Sequence, residues 1–283
     1  MLDLLFGPYL TNTWAAGTII ALVAGVVGVF VVLRGDTFLA HALPHGSFAG
    51  AAVAAAIGAS PVAGMGVAAL LAGLVISWLG RRRRDVVIAL VLTFLLAGGA
   101  FVLSLQGRYS NQVYALLFGQ VLSVATSDLI AMGILAAAAV VAVLIMARPL
   151  LLTAALPQTA AASGLRRGAV ETGFTLVVAA ATTASVPVVG ALLLFSLLVA
   201  PPAAACLLCR RPGPAVAAAC GLCLLCMWSA IALSVLTDLP VGFFVSAIGA
   251  LVYAVARVGT MLVGRLGRVD RGHRSRVQVQ EAR

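Results

Sequence analysis

The sequence contains no lysine; all 18 of its basic residues are arginine. That absence removes every chemistry needing a lysine amine, from Schiff bases to the phosphate-gripping lysine of a P-loop. If ATP drives this protein, another chain hydrolyses it. Charge of either sign is scarce. Charged residues are 9% of the 283, against about a quarter in soluble domains, and this excludes an ordinary globular enzyme. What fills the chain instead is apolar: 63% hydrophobic residues and a mean hydropathy of +1.16. A soluble fold of this length has no means of hiding so much apolar surface, which leaves a polytopic membrane protein.

A net charge of +10 and a pI near 10.7 do not point to nucleic acid. The arginines punctuate apolar runs and form no patch with interleaved aromatics. Arginine at the cytoplasmic ends of membrane helices accounts for the imbalance. Residues 1–13 carry Asp3 and no basic n-region, and the apolar stretch after them is long enough to span. No cleavable signal peptide is expected there.

About 20 apolar residues cross a bilayer as a helix. Nine stretches qualify: 14–33, 38–58, 62–79, 86–106, 129–147, 172–186, 188–208, 216–236 and 241–263. With Arg81-Arg82-Arg83-Arg84 inside, alternation also puts Arg34, Arg148, Arg166, Arg167, Arg210, Arg211 and the arginine-rich tail inside. Of the arginines only Arg108 falls in an outside loop, and Asp238 falls outside too, so the N-terminus lies outside and the C-terminus inside. The parity requires that 113–124, around Leu117-Phe118-Gly119-Gln120, stays a re-entrant or interfacial element. The stretch 172–186 is short and ends at Pro187. Merging it with its neighbour would move Arg210 and Arg211 outside, so the two are kept separate.

Small residues recur at four-residue spacing: Gly17, Ala21 and Gly25 on one face, Gly46, Gly50 and Ala54 on another. Such faces let membrane helices approach closely. No strong internal repeat is visible, which counts against an inverted-repeat secondary carrier. Between Arg148 and Glu171 the chain is too polar and interrupted to span. Pro157, then residues 158–163, then Gly164 read as a short cytoplasmic helix with a proline start and a glycine stop. It is a docking element or a plain connection.

Ionisable groups in or beside spans are Asp36, His41, His45, Asp85, Asp128, Glu171 and Arg257. Asp85 answers the arginine run. Asp128 and Glu171 suit helix N-termini, and Arg257 can snorkel to the cytoplasmic surface. The second span is different. His41 and His45 stand at i and i+4, on one helix face, with Pro44 and Gly46 beside them able to kink or break the helix. Imidazole suits zinc, manganese or iron; the alternative is a pair of cavity-facing histidines bonded to carbonyls. Cys206, Cys209, Cys220, Cys223 and Cys226 imitate a paired CxxC metal motif. Their flanks are membrane helix, where cysteine packs as a small apolar residue.

The chain resembles the membrane subunit of metal-type ABC importers. The resemblance rests on Gly28-Val29-Phe30-Val31-Val32-Leu33-Arg34 followed by His41-Ala42-Leu43-Pro44-His45-Gly46, and on Asp85-Val86-Val87-Ile88-Ala89-Leu90. It continues in Leu117-Phe118-Gly119-Gln120-Val121-Leu122-Ser123 with Asp128-Leu129, and in the run from Val189-Gly190 through Phe195 and Ser196 to Ala200-Pro201. It implies that His41 contacts the metal. Thr37 holds the place of the family's usual aspartate, with Asp36 one position early, and His45 replaces a proline. The implied metal set is therefore His41 and His45 with Asp36 or Thr37.

The resemblance also implies that Leu156, Pro157, Gln158, Thr159, Ala160 and Gly164 form the ATPase-coupling region, without the family's usual acidic residues. The implied fold is an all-α polytopic bundle of about nine transmembrane helices, with a short re-entrant segment and a cytoplasmic coupling helix. Residues 1–264 would form the permease domain, with coupling segment 149–170, and 265–283 a basic cytoplasmic tail without fixed structure. The implied partners are an ATP-binding ABC subunit, an extracytoplasmic metal-binding protein, a second copy of the chain and the bacterial inner membrane, with no nucleic acid. No permanently bound cofactor is expected; the divalent metal is cargo, and the chain is not itself an enzyme. Two other readings stay open: a permease for a metal chelate, and an ion-coupled secondary carrier using Asp36 and His41 as a relay.

Overall fold

The computed structural model describes residues 10–80, 83–105 and 125–281. Arg81, Arg82, the polar loop 107–112 and the expected re-entrant segment 113–124 lie outside the described residues, as does the side chain of Asp128. The chain forms ten described helices: α1 (Thr11–Arg34), α2 (Thr37–Ala56), α3 (Pro61–Leu79), α4 (Arg84–Leu105), α5 (Thr126–Ala155), α6 (Pro157–Ala162), α7 (Arg167–Val189), α8 (Ala191–Leu208), α9 (Pro212–Thr237) and α10 (Val241–Glu281). No strand occurs among the described residues.

Seven of these are long and apolar enough to cross a membrane: α1, α3, α4, Leu129–Ala155 of α5, α7, α9 and Val241–Leu262 of α10. The two expected spans outside that set are α2, which carries the histidines, and α8, whose apolar part is Leu193–Leu208. Three helices run further than expected. Helix α5 continues through Arg148 and Pro149 to Ala155, and the Thr153 hydroxyl donates to the Pro149 carbonyl, 2.9 Å away. Helix α7 starts at Arg167 and passes Pro187, so the stretch that looked short reaches full span length. Helix α10 continues to Glu281, where an unstructured tail was expected; extending an existing helix adds one hydrogen bond for each residue fixed.

Burial sorts the helices into two shells. In α1 and α7, 72% of the apolar window is buried, against 17% in α4 and 22% in α5. The outer helices carry exposed Trp78, Phe94, Leu105 and Ile145, as a lipid-facing surface requires. Helix α2 lies among the inner helices, with Leu39, Leu43, His45 and Ser47 all buried. The helix that carries both histidines is thus largely buried in the bundle, which is where a membrane protein keeps ionisable groups.

Charged and aromatic groups collect at opposite ends of the bundle. Arg34, Asp36, Arg84, Thr153, Arg167 and Glu171 gather around one small cavity. At the opposite end Asn12 donates to Thr126, 3.2 Å away, and the Trp14 and Trp228 rings meet edge-to-face at 5.9 Å. Gly190 separates α7 from α8 at φ 84°, ψ 157°, a backbone region essentially confined to glycine. The boundary that kept 172–186 apart from the next span therefore falls on that glycine.

The small-residue faces are packing surfaces. Gly25 lies against the backbone of Cys220 and Gly17 against Met227 and Ile231, all on α9. Gly50 and Gly64 hold α2 and α3 together so closely that a Cβ on Gly50 would lie 2.0 Å from the Gly64 carbonyl oxygen. Backbone cannot step aside as a side-chain tip can. Gly50→Val is expected to cost more than the roughly 1–3 kcal/mol of ordinary overpacking. A thermal melt of the detergent-purified variant checks this; an unchanged midpoint would contradict the contact.

Candidate functional site

Thr37, His41 and His45 share one face of α2 at four-residue spacing. The helix runs unbroken through Pro44 and Gly46, so the break expected there is absent. The Ser47 hydroxyl donates to the Pro44 carbonyl at 2.7 Å, and Gly46 has its own packing role: a Cβ there would lie 2.9 Å from Leu95 of α4. Burial among neighbouring helices lets a membrane helix carry a proline without unwinding.

The two imidazoles lie with ring centroids 4.4 Å apart and planes at 37°. His41 meets Phe195 of α8 edge-to-face, at 4.6 Å and 74°. His45 Nδ1 sits 2.9 Å from the His41 carbonyl oxygen. A carbonyl only accepts, so this bond puts the proton on Nδ1 and leaves Nε2 of the neutral ring with a free lone pair. A histidine that donates one ring N–H to a carbonyl in this way is oriented as metal-ligating histidines are. His41 Nδ1 is buried with no hydrogen-bond partner. A buried ring nitrogen left unpaired carries a desolvation cost, which a cation or water in contact with it removes.

Asp36 is not part of this pair. It stands just before α2, and both carboxylate oxygens are taken: Oδ2 by Arg34 Nε at 3.0 Å and Oδ1 by Arg84 at 3.1 Å. One residue of offset turns a side chain about 100° around a helix, enough to send it to the arginines. Among the described residues no three His, Cys, Asp or Glu side chains converge to hold a metal. One chain therefore brings two imidazoles and the Thr37 hydroxyl to this face, and any further donors come from elsewhere. The five cysteines are free thiols: Cys206 on α8, Cys209 just beyond its end, and Cys220, Cys223 and Cys226 on α9. The Cys223 thiol donates to the Leu197 carbonyl at 3.5 Å, which is helix packing.

The short helix expected near Pro157 is present as α6, with Pro157 in its first turn and Gly164 at φ 77° beyond it. Leu156, Gln158 and Thr159 are exposed and Ala160 is buried against the bundle. Glu171, read from the sequence as a cap, instead receives Arg167 Nε at 2.8 Å. Sequence reasoning missed two features. One is Phe195 as the neighbour of His41. The other is the bonding of Arg34 to Thr153, 119 positions away. The only sequence signal for the second was a polar threonine beyond Pro149 in an otherwise apolar stretch.

Comparison with known proteins adds an independent line. A model of the ABC 3 transport family matches residues 7–260. The manganese transport system membrane protein MntC of Halalkalibacterium halodurans is 29% identical over 167 residues, 58% of this chain and 57% of that one. The manganese import system permease protein ScaB of Streptococcus parasanguinis is 29% identical over 164 residues, 56% of this chain and 57% of that one. The chain thus spans little more than half the length of these relatives. In three dimensions it resembles PsaBC from Streptococcus pneumoniae, solved in complex with a Fab, with a TM-score of 0.80 at 21% identity. That likeness covers 90% of this chain and 92% of the other, and it establishes the fold.

Proposed function

This chain belongs to the ABC 3 transport family, and from that premise we propose that it is the transmembrane permease of an ATP-driven importer of a divalent transition metal: manganese, zinc or iron. The observation that carries the reading is the imidazole pair on α2, with one nitrogen buried and unpaired and the other ring oriented by a carbonyl. The names of the similar manganese permeases support the metal class. Two nitrogen donors without a carboxylate lean the other way, toward zinc over manganese.

In this reading α2 and α8 join the seven long apolar helices to make nine crossings, N-terminus outside and C-terminus inside, in the bacterial inner membrane. The gathering of Arg34, Arg84, Thr153 and Arg167 at one end supports that count. Residues 1–264 are the permease domain and 265–283 a basic cytoplasmic tail. An extracytoplasmic binding protein delivers the ion, and it passes between two copies of the chain, each contributing His41, His45 and Thr37. An ATP-binding ABC subunit docks on α6, where exposed Leu156, Gln158 and Thr159 form the contact and Gly164 turns the chain back toward α7. The metal is cargo, and this chain makes or breaks no bond in it.

Elemental analysis of a strain lacking this chain, grown under metal limitation, tests the class of cargo. Zinc, manganese or iron is expected to fall several-fold and to return on complementation. Unchanged levels of all three would overturn the metal-ion reading in favour of a chelate.

A further inference from the structure

We propose that the Arg34–Asp36–Arg84 cluster is a clasp linking α6 to the histidine helix, with Asp36 and Thr153 as positioning residues. The proposal rests on the reading of α6 as the ATPase contact. Its basis is where the bonds of the two arginines go. Asp36 stands immediately before α2, five residues ahead of His41, and receives Arg34 at 3.0 Å and Arg84 at 3.1 Å. Arg34 then reaches α5, where it donates to the Thr153 hydroxyl at 2.9 Å, four residues before Pro157. Arg84 reaches α7, donating to the Thr175 hydroxyl at 3.2 Å, and the Arg34 guanidinium lies over the Phe174 ring of the same helix.

Helices α5 and α7 are the two flanks of α6 in the chain. Both are therefore tied, through one arginine each, to a single carboxylate at the foot of α2. The Arg34 and Asp36 side chains are 7% and 8% exposed, so salt and water do little to weaken the link. Charge-assisted bonds are also directional, so they transmit a displacement where an apolar contact would slide. Beside the cluster lies a cavity of about 200 Å³, bounded by Leu33, Ala154, Arg167 and Glu171 among others. It gives the arginines room to exchange partners as α6 is pushed or pulled. A movement of α6 thus reaches His41 through two hydrogen bonds, one carboxylate and five residues of helix.

The test uses the complete transporter in liposomes: this chain, its ATPase subunit and the binding protein loaded with metal. Stimulation of ATP hydrolysis by the loaded binding protein is measured alongside uptake. Thr153→Val deletes only the hydroxyl, and Thr153→Ser restores it. Thr153→Val is expected to keep the ATPase bound, basal hydrolysis and the half-saturating concentration of loaded binding protein, while maximal stimulation and uptake fall roughly ten-fold, within the range of ordinary coupling energies. Thr153→Ser is expected to recover both. Arg84→Lys, which keeps the charge but cannot span Asp36 and Thr175 together, is expected to lose stimulation as well. Wild-type stimulation in both Thr153→Val and Arg84→Lys would overturn the clasp. A wild-type chain that fails to capture the ATPase would instead overturn the permease reading beneath it.

Discussion

His41→Ala is expected to reduce metal accumulation to the level of cells lacking the chain, with the protein still present in the membrane. The side chain is half-buried, and its unpaired Nδ1 makes no bond that holds the fold together. Truncation removes the ring contacts with Phe195 and His45 and leaves the helix backbone intact. The structural cost is therefore small and the functional cost large. Loss of a contact that merely supports a metal ligand typically costs about 10–100-fold, and loss of the ligand itself exceeds that. His45→Ala is expected to fall within the lower range if its ring chiefly orients, and to match His41→Ala if it ligates. Elemental analysis of complemented cells, paired with quantitation of membrane-inserted protein, reads both. Full accumulation with His41→Ala would remove the histidine face from the pathway.

Asp36→Ala is expected to act on stability. It leaves Arg34 and Arg84 without their shared counter-charge, and Arg34 is almost fully enclosed. Removing one partner of a buried ion pair costs about 3–5 kcal/mol, because the remaining charge is stranded away from water. The lower end of that range fits here, since Arg84 is 22% exposed and can turn outward, while Arg34 keeps Thr153. Replacing Arg34 and Asp36 together by Met and Leu strands less charge and is expected to recover much of the loss. Thermal melts of the purified chain in detergent check the order: wild type, then the double variant, then Asp36→Ala. A melt of Asp36→Ala equal to wild type would mean the arginines are solvated and the cluster is not buried.

His41 on α2 and Asp36 just before it show what the sequence could and could not disclose. The histidine face was legible because i, i+4 spacing is a local property of a helix and needs no partner. Seven of the nine expected spans were legible for the same reason: bilayer thickness imposes a length that a run of apolar residues either meets or does not. The fate of Asp36 was not legible. Its neighbours Arg34 and Arg84 looked like topology markers, and the link onward to Thr153 is 119 positions long. Charge counting led to the expectation that these groups share one side of the membrane, and only packing told that they touch. Prolines misled in a consistent direction. Pro44 and Pro187 suggested a break or an end, yet both sit inside continuous helices, as does Pro149. In a helical bundle, packing against neighbouring helices makes the interruption tolerable.

The central claim is that ATP hydrolysed by a separate subunit drives a bare metal ion through this chain past His41. The most direct measurement is metal uptake into sealed liposomes containing the chain and its ATPase, supplied with loaded binding protein, with and without ATP and with the membrane gradients collapsed. The account predicts uptake of the ion that requires ATP, survives collapse of the gradients and disappears in His41→Ala. Uptake that follows a proton or sodium gradient without the ATPase would contradict it, as would movement of a metal chelate with no movement of the free ion.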